Sequence, residues 1–355
     1  MQKILISIII PAYNHQNFIG AAIESVLLQS HKNFELIIID DHSPDQTAEV
    51  IAQYDDPRIK FSAHTTNMGA SNTINEGIQK ASGDFITILN SDDIFLPNRL
   101  ERLLAVAERE SAEFITTDVE LIDKNGKVIR DKHHWWIEWV DGLRALYSSS
   151  GDIVQALLAG NFFISTSNFF IKREVFNRIG FFNNYRYTSD YEFILRYLAD
   201  SQHRLFYLFD EKLLQYRLHG HNTILETPIA PNLETFQIFS RWFPELLQQS
   251  IDKQRCYAMN RQLEKVMNYA IDGALRPKQQ EIETLRDSLR KKDNLLNKLN
   301  EFNYKKDLQI QQLQASKNLM EQELRHQIER LIQSNSYKLG QLIFRPLGYL
   351  KKLFK

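Results

Sequence analysis

The 355-residue chain has a single cysteine, Cys256, so no internal disulfide can form, and no CxxC pair or Cys/His cluster has zinc-site spacing. A reducing cytoplasm is the expected compartment. Long apolar runs are also missing: ILISIII stops at Pro11, short of a bilayer span, without the basic flank and cleavage site of a signal peptide. Excess charge of one sign is absent, since 43 Lys+Arg against 44 Asp+Glu leave a formal net charge of -1, which argues against a nucleic-acid partner. Neither early strand-to-helix loop carries GxGxxG or GxxxxGK[ST], which disfavours a dinucleotide oxidoreductase or a Walker-type ATPase.

What is present is an alternation of short apolar runs and amphipathic stretches over residues 4 to about 120. Ile4 to Ile10, Leu36 to Ile39, Ile59 to Ala63 and Phe85 to Leu89 read as strands, and near-continuous apolar content predicts coverage on both faces. Phe18 to Gln29, Ser43 to Tyr54 and Ala70 to Ala81 read as the intervening helices. That order predicts an α/β fold with a doubly wound, mostly parallel sheet. Two strands end in paired carboxylates, Asp40–Asp41 and Asp92–Asp93. Beyond the carboxyl ends of such strands lies the ligand crevice, so the second pair sits where a cation would meet a polyanionic ligand. Capping of the next helix is the competing use.

Four segments in order, SIIIPAYN at Ser7 to Asn14, IIIDDHSPDQT at Ile37 to Thr47, NMGASNTINEGI at Asn67 to Ile78 and GDFITILNSDD at Gly83 to Asp93, resemble the signature of family 2 of the glycosyltransferases. The resemblance covers residues 4 to 225 and implies the GT-A fold and an inverting, metal-dependent transfer of a sugar from a nucleotide-diphosphate donor, expected to be a UDP-sugar. It implies that Pro11 and Tyr13 lie against the base, that Asp41 accepts a base N–H, that Asp92 lies toward the ribose, and that Asp93 binds Mg²⁺ or Mn²⁺. Asn67 and Gly69 belong to the loop before the third helix. Many relatives have an arginine where Thr73 and Ile74 stand, which leaves diphosphate contacts from that helix in doubt. Further on, SDYEFILRYL resembles the segment with the general base, here Asp190, and QYRLHGHNT resembles a late segment in which His219 reaches the metal or diphosphate and Arg217 is a second phosphate candidate. Helix capping is the other use open to Asp190.

Trp135, Trp136 and Trp139 suit either stacking on an acceptor sugar or burial under a helix. Residues 226–276 read as a helical extension, in which Trp242, Phe243, Leu246 and Leu247 pack on the catalytic domain. Residues 277–335 carry a heptad seam beginning at Ile282 and Leu285, which predicts a coiled coil and a homo-oligomer. Residues 336–355 form a basic, acid-free amphipathic tail suited to an anionic membrane surface or to the protein's own surface. The whole reads as a transferase working on a glycan or lipid-linked acceptor in surface polysaccharide assembly. A nucleotidyltransferase and an inactive domain serving a coiled-coil scaffold are the alternatives, the first disfavoured by the lack of a glycine-rich phosphate loop, the second by intact Asp41, Asp93 and Asp190.

Overall fold

In a computed structural model of the chain, residues 4–249 are described apart from 201, 203, 221, 224, 225 and 227–229, together with 261 and 314–323. The chain divides into two units, Met1–Glu264 and Lys265–Lys355. In the first, β1 (Ile6–Ala12), β2 (Phe34–Asp40), β3 (Ile59–Ala63) and β4 (Phe85–Ile88) alternate with α1 (Ile19–Leu27), α2 (Thr47–Ile51) and α3 (Ala70–Lys80). There follow β5 (Ile94–Phe95), α4 (Arg99–Glu110), β6 (Phe114–Asp123), α5 (Trp135–Ser150), α6 (Ile153–Ala159), β7 (Phe170–Lys172), α7 (Arg173–Ile179), α8 (Ser189–Ala199), β8 (Leu205–Leu218) and α9 (Ala230–Gln249). All eight strands form one sheet, in the order β3-β2-β1-β4-β7-β6-β8-β5. Pairings β3-β2, β2-β1, β1-β4 and β6-β8 are parallel, and those through β7 and β5 are antiparallel.

The isoleucine-rich β1 lies mid-sheet because it can be covered on both sides: Ile6, Ile8, Ile9 and Ile10 are all fully buried. Ile6, Ile8 and Ile10 share a cluster with Ala22 and Val26 of α1. Each such side chain stabilises the fold by about 1.5–3 kcal/mol. The start of β4 is pinned as tightly, since a Cβ on Gly83 would lie 2.7 Å from the Ser7 amide nitrogen and 2.8 Å from the Leu5 carbonyl oxygen. Beside it, Glu35 is a buried polar anchor that accepts from Ser7 Oγ (2.5 Å), the Ser82 amide (2.6 Å) and Lys60 Nζ (2.5 Å).

The parallel strands all run one way, so Ala12, Asp40 and Ile88 end along a common edge. One expectation differs beside that edge. The helix predicted from Ser43 begins only at Thr47, because the side chains of Ser43 and Asp45 are taken by amides of the neighbouring loop. Beyond β6, Val128 makes an isolated bridge back to Ile122. In the tryptophan-rich segment, Trp136 is buried while Trp135 and Trp139 remain exposed.

In α9, Leu246 is buried and Trp242 Nε1 donates to Glu192 Oε1 of α8 at 2.9 Å, whereas the side chains of Phe243 and Leu247 lie outside the described residues. The expected coiled coil lies outside them too, except for helical residues 314–323, as does the basic tail. Among the described residues, no helix is long and apolar enough to cross a membrane.

Candidate active site

Two loops at the carboxyl ends of β1 and β2 are laced together. The Asn14 amide donates to Ser43 Oγ (3.0 Å), the His15 amide to Thr47 Oγ1 (2.9 Å), the Gln16 amide to Asp45 Oδ2 (3.0 Å) and the Gln46 amide to Gln16 Oε1 (2.9 Å). Asn14 and His42 stand at φ 55° and 61°, the left-handed conformation of tight turns. Buried Asp40 stiffens the second loop by accepting from the Ser43 amide and hydroxyl. Just before these bonds in the chain, Tyr13 is 45% exposed and Pro11 is half-buried.

Asp41 organises the neighbouring loop. Its Oδ1 accepts from the Met68 amide and His64 Nδ1, both at 2.7 Å, and its Oδ2 from the Gly69 amide at 2.8 Å. Asn67 Nδ2 donates to the Asp41 carbonyl at 3.1 Å, and Gly69, at φ 86°, turns the chain into α3. Asp41, Asn67 and Gly69 are thus brought together, with the backbone amides of this loop pointing at the carboxylate. His64 also reaches Glu76 Oε2 at 2.9 Å. Burial works to lower the His64 pKa, but the hydrogen bonds to Asp41 and Glu76 outweigh it and raise it.

The carboxylates at the end of the β4 segment face different surroundings. Asp92 Oδ2 lies 3.0 Å from His219 Nε2, and His15 Nδ1 lies 2.7 Å from the hydroxyl of Ser91. His15, Asp92 and His219 each offer a ligand atom, all within 4.8 Å of one another, the one such group of three among the described residues. Phe18 backs the group, stacked on His219 at 5.2 Å and edge-on to His15 at 5.7 Å. Burial would raise the Asp92 pKa, yet the His219 hydrogen bond and the charges of His15 and His219 hold it below the ordinary carboxylate range. Burial lowers that of His15, against the opposing pull of the Asp92 charge.

Asp93, the carboxylate expected to bind the metal, is outside that group. It is 0% exposed, its Oδ2 accepts from Ser167 Oγ at 2.6 Å, and its Oδ1 accepts from the Arg217 amide at 3.0 Å. Burial, reinforced by the charge of Asp92, raises its pKa well above the usual value. Asp93 therefore joins β8 and the turn before β7 to the site, while Asp92, expected at the ribose, faces the two imidazoles. Arg217, the second phosphate candidate, has a buried guanidinium that donates to the carbonyls of Asp92 (2.7 Å) and Asp123 (3.2 Å) and lies over Phe18.

Asp190 opens α8. Its Oδ2 accepts from Asn161 Nδ2 at 2.9 Å and its Oδ1 from the Tyr191 amide at 2.7 Å, while burial pushes its pKa up to about 6. Asn161 Oδ1 is buried without a hydrogen-bond partner. Tyr216 ties this carboxylate to the others. Burial first, then the charges of Asp93, Asp92 and Asp190, push its phenol well above the ordinary range, so one hydroxyl senses all three. Its ring stacks on Trp136 at 5.9 Å, which is the buried tryptophan's use here.

His15, Asn161, Ser167 and Tyr216 are site residues that motif reasoning missed. Only two carried a signal: His15 directly follows AYN, and Tyr216 precedes Arg217 in QYRLHGHNT.

With that geometry in place, the similarities are informative. The family model described as Glycosyl transferase family 2 matches residues 7–180. The chain carries a family 2 glycosyltransferase domain. Over 128 residues it is 38% identical to the Escherichia coli "UDP-Glc:alpha-D-GlcNAc-diphosphoundecaprenol beta-1,3-glucosyltransferase WfgD", covering 36% of this chain and 51% of that protein. It is 25% identical to the glycosyltransferase GlyG of Streptococcus pneumoniae over 265 residues, 70% of this chain and 82% of that one. The match thus spans about half the length of the first of these relatives. The fold resembles that of S. aureus TarS 1-349 in complex with UDP, at TM-score 0.54 and 17% identity, covering 76% of this chain and 74% of that chain. It also resembles the mannosyltransferase PcManGT of Pyrobaculum calidifontis in complex with GDP-Man and Mn2+, at TM-score 0.51 and 14% identity, over 75% and 74% of the two chains. These likenesses establish a GT-A-type α/β fold for the family 2 domain.

Proposed function

We propose that this protein transfers a sugar from a nucleoside-diphosphate donor, a UDP-sugar, to a hydroxyl of a glycan or lipid-linked acceptor, with inversion at the anomeric carbon. The observation that carries this reading is the set of unlike carboxylates around Tyr216: Asp92 held ionised beside two imidazoles, and Asp190 pushed up to about 6 by burial. Groups whose environments drive their pKa values apart are suited to different tasks. Asp190 takes the proton of the attacking hydroxyl, work that a pKa just below neutrality favours. A single base opposite the leaving group is what inversion requires.

Asp92 and His219 are the residues to hold a divalent cation, Mg²⁺ or Mn²⁺, and their carboxylate and imidazole donors fit one. Such an ion supplies Lewis-acid stabilisation of the departing nucleoside diphosphate. Tyr13 and Pro11 offer an apolar surface to the base, and Asp41, with Asn67 and Gly69, shapes the loop beside it. The donor nucleotide is inferred from two similar proteins, WfgD, whose name specifies UDP-Glc, and TarS, whose structure contains UDP. The lipid-linked acceptor follows the diphosphoundecaprenol in the name of the first. Surface-polysaccharide assembly, oligomerisation through residues 277–335 and contact of residues 336–355 with an anionic membrane face complete the proposal.

A donor-hydrolysis screen over UDP-, GDP- and dTDP-sugars tests it. The reading requires release of nucleoside diphosphate from at least one UDP-sugar and its loss in Asp190→Asn. Turnover restricted to GDP- or dTDP-sugars would replace the donor assignment, and turnover unaffected by Asp190→Asn would remove the base.

A further inference from the structure

We infer that His15 is a third protein ligand of the cation, making a two-imidazole, one-carboxylate site that binds its metal before the nucleotide and discriminates against Mg²⁺. This rests on the metal-assisted transfer proposed above and concerns which ion serves it and in what order. A cation gripped mainly by donor phosphates and a carboxylate needs little from the protein, and Mg²⁺, which keeps its waters, suits that arrangement. Here the protein itself brings three ligand atoms within 4.8 Å of one another, and two of them are nitrogen.

The position of His15 is built rather than incidental. Its amide is fixed to Thr47 Oγ1 at 2.9 Å, and the residues on either side are fixed by the Asn14–Ser43 and Gln16–Asp45 bonds. Its Nδ1 lies 2.7 Å from Ser91 Oγ, which leaves Nε2 as the nitrogen for an ion and sets the ring's direction, as a hydrogen bond to the second nitrogen does for metal-bound histidines. Phe18 and the His219 ring pack edge-on against it at 5.7 and 5.5 Å. His219 is placed from the opposite side of the sheet order, by the end of β8 and by its amide bond to Asn222 Oδ1 at 3.1 Å. Ligands from the ends of β1, β4 and β8 therefore converge through independent supports. Such preorganisation lets a metal bind without a phosphate to complete the site. Imidazole donors favour the later first-row divalent ions over Mg²⁺, with affinity rising from Mn²⁺ through Co²⁺. Three protein ligands would leave further coordination positions of such an ion to water or donor oxygens.

The test uses nucleotide-free, full-length protein, stripped of metal and titrated with Co²⁺ while its visible d–d absorption is followed, with Mg²⁺ and then Mn²⁺ as competitors. The inference requires a Co²⁺ spectrum without nucleotide, displacement by a large excess of Mn²⁺, and none by the same excess of Mg²⁺. His15→Ala is expected to weaken Co²⁺ at least about tenfold, the lower end for even an outer-shell loss at a metal site. His15→Asp restores a ligand as oxygen and is expected to recover binding while admitting Mg²⁺. An unchanged thermal melt shows that each variant is folded. Equal Co²⁺ affinity in wild type and His15→Ala, or ready displacement by Mg²⁺, overturns the inference. Calorimetric UDP titration separates it from the broader reading: Mn²⁺-dependent UDP binding without nucleotide-free Co²⁺ binding sinks the inference alone, whereas Co²⁺ binding through His15 with no UDP binding sinks the transferase reading alone.

Discussion

Replacing Asn161 by alanine removes the one side-chain hydrogen bond from another residue that Asp190 is seen to accept, Nδ2 to Oδ2 at 2.9 Å. In the wild type, burial outweighs this bond and that of the Tyr191 amide and holds the Asp190 pKa at about 6. A base with that value is ionised to about 91% at pH 7 and about 9% at pH 5, so the rate should fall roughly tenfold over that interval. A hydrogen bond to a charged group contributes about 1.5–3 kcal/mol, and 1.36 kcal/mol corresponds to one pKa unit, so its loss raises the midpoint by about 1–2 units. The acidic limb of Asn161→Ala should therefore centre between about 7 and 8, with the rate at pH 7 lowered about two- to tenfold and recovered near pH 9. Nucleoside-diphosphate release from a UDP-sugar, with water as acceptor, is followed against pH for both proteins. A uniform loss with an unmoved limb would show that Asn161 acts only on structure, and a limb absent from the wild type would refute the role of Asp190.

Other perturbations separate chemistry from architecture. Asp190→Asn is expected to lower turnover by about 10²–10⁴ and yet raise the melting temperature at pH 7. The folded state retains the Asp190 proton between the ordinary value of 3.8 and about 6, so ionisation above that window works against folding. Arg217→Ala should destabilise by about 1–3 kcal/mol in denaturant unfolding, because carbonyls of Asp92 and Asp123 lose a buried donor. Glu35, lowered to about 2 despite burial because Lys60, Ser7 and Ser82 donate to it, stabilises the fold above 4.5, and that contribution is lost as pH falls toward about 2. Glu35→Gln should flatten this part of the stability profile; an unchanged slope in urea-melt midpoints would remove the assignment.

The fold was legible because its signals are local. Runs such as ILISIII and ELIIID are too apolar for anything but a doubly covered strand, and the motifs between them mark one edge of the sheet. The different surroundings of Asp92 and Asp93 were not legible. Adjacent residues in a turn differ in direction, and that direction depends on Ser167 and on the Arg217 amide, 74 and 124 positions away along the chain. The contacts of Arg217 were not legible for a related reason: an arginine in such a segment is equally able to bond backbone carbonyls, and only the packing of Phe18 and the turn after β6 decides. Asn161 lies in a phenylalanine-rich stretch that reads as core. Its role follows from α6 ending beside α8, where the Tyr191 hydroxyl donates to the Leu157 carbonyl.

The central claim is that Asp92, rather than Asp93, grips the cation that meets the donor diphosphate. Calorimetric titration of UDP into wild type, Asp92→Asn and Asp93→Asn, each with and without Mn²⁺, measures it directly. Binding should be strengthened by Mn²⁺ in the wild type and in Asp93→Asn, and should become indifferent to Mn²⁺ in Asp92→Asn. Loss of the Mn²⁺ effect in a folded Asp93→Asn with its retention in Asp92→Asn, or UDP binding that ignores Mn²⁺ throughout, would contradict it.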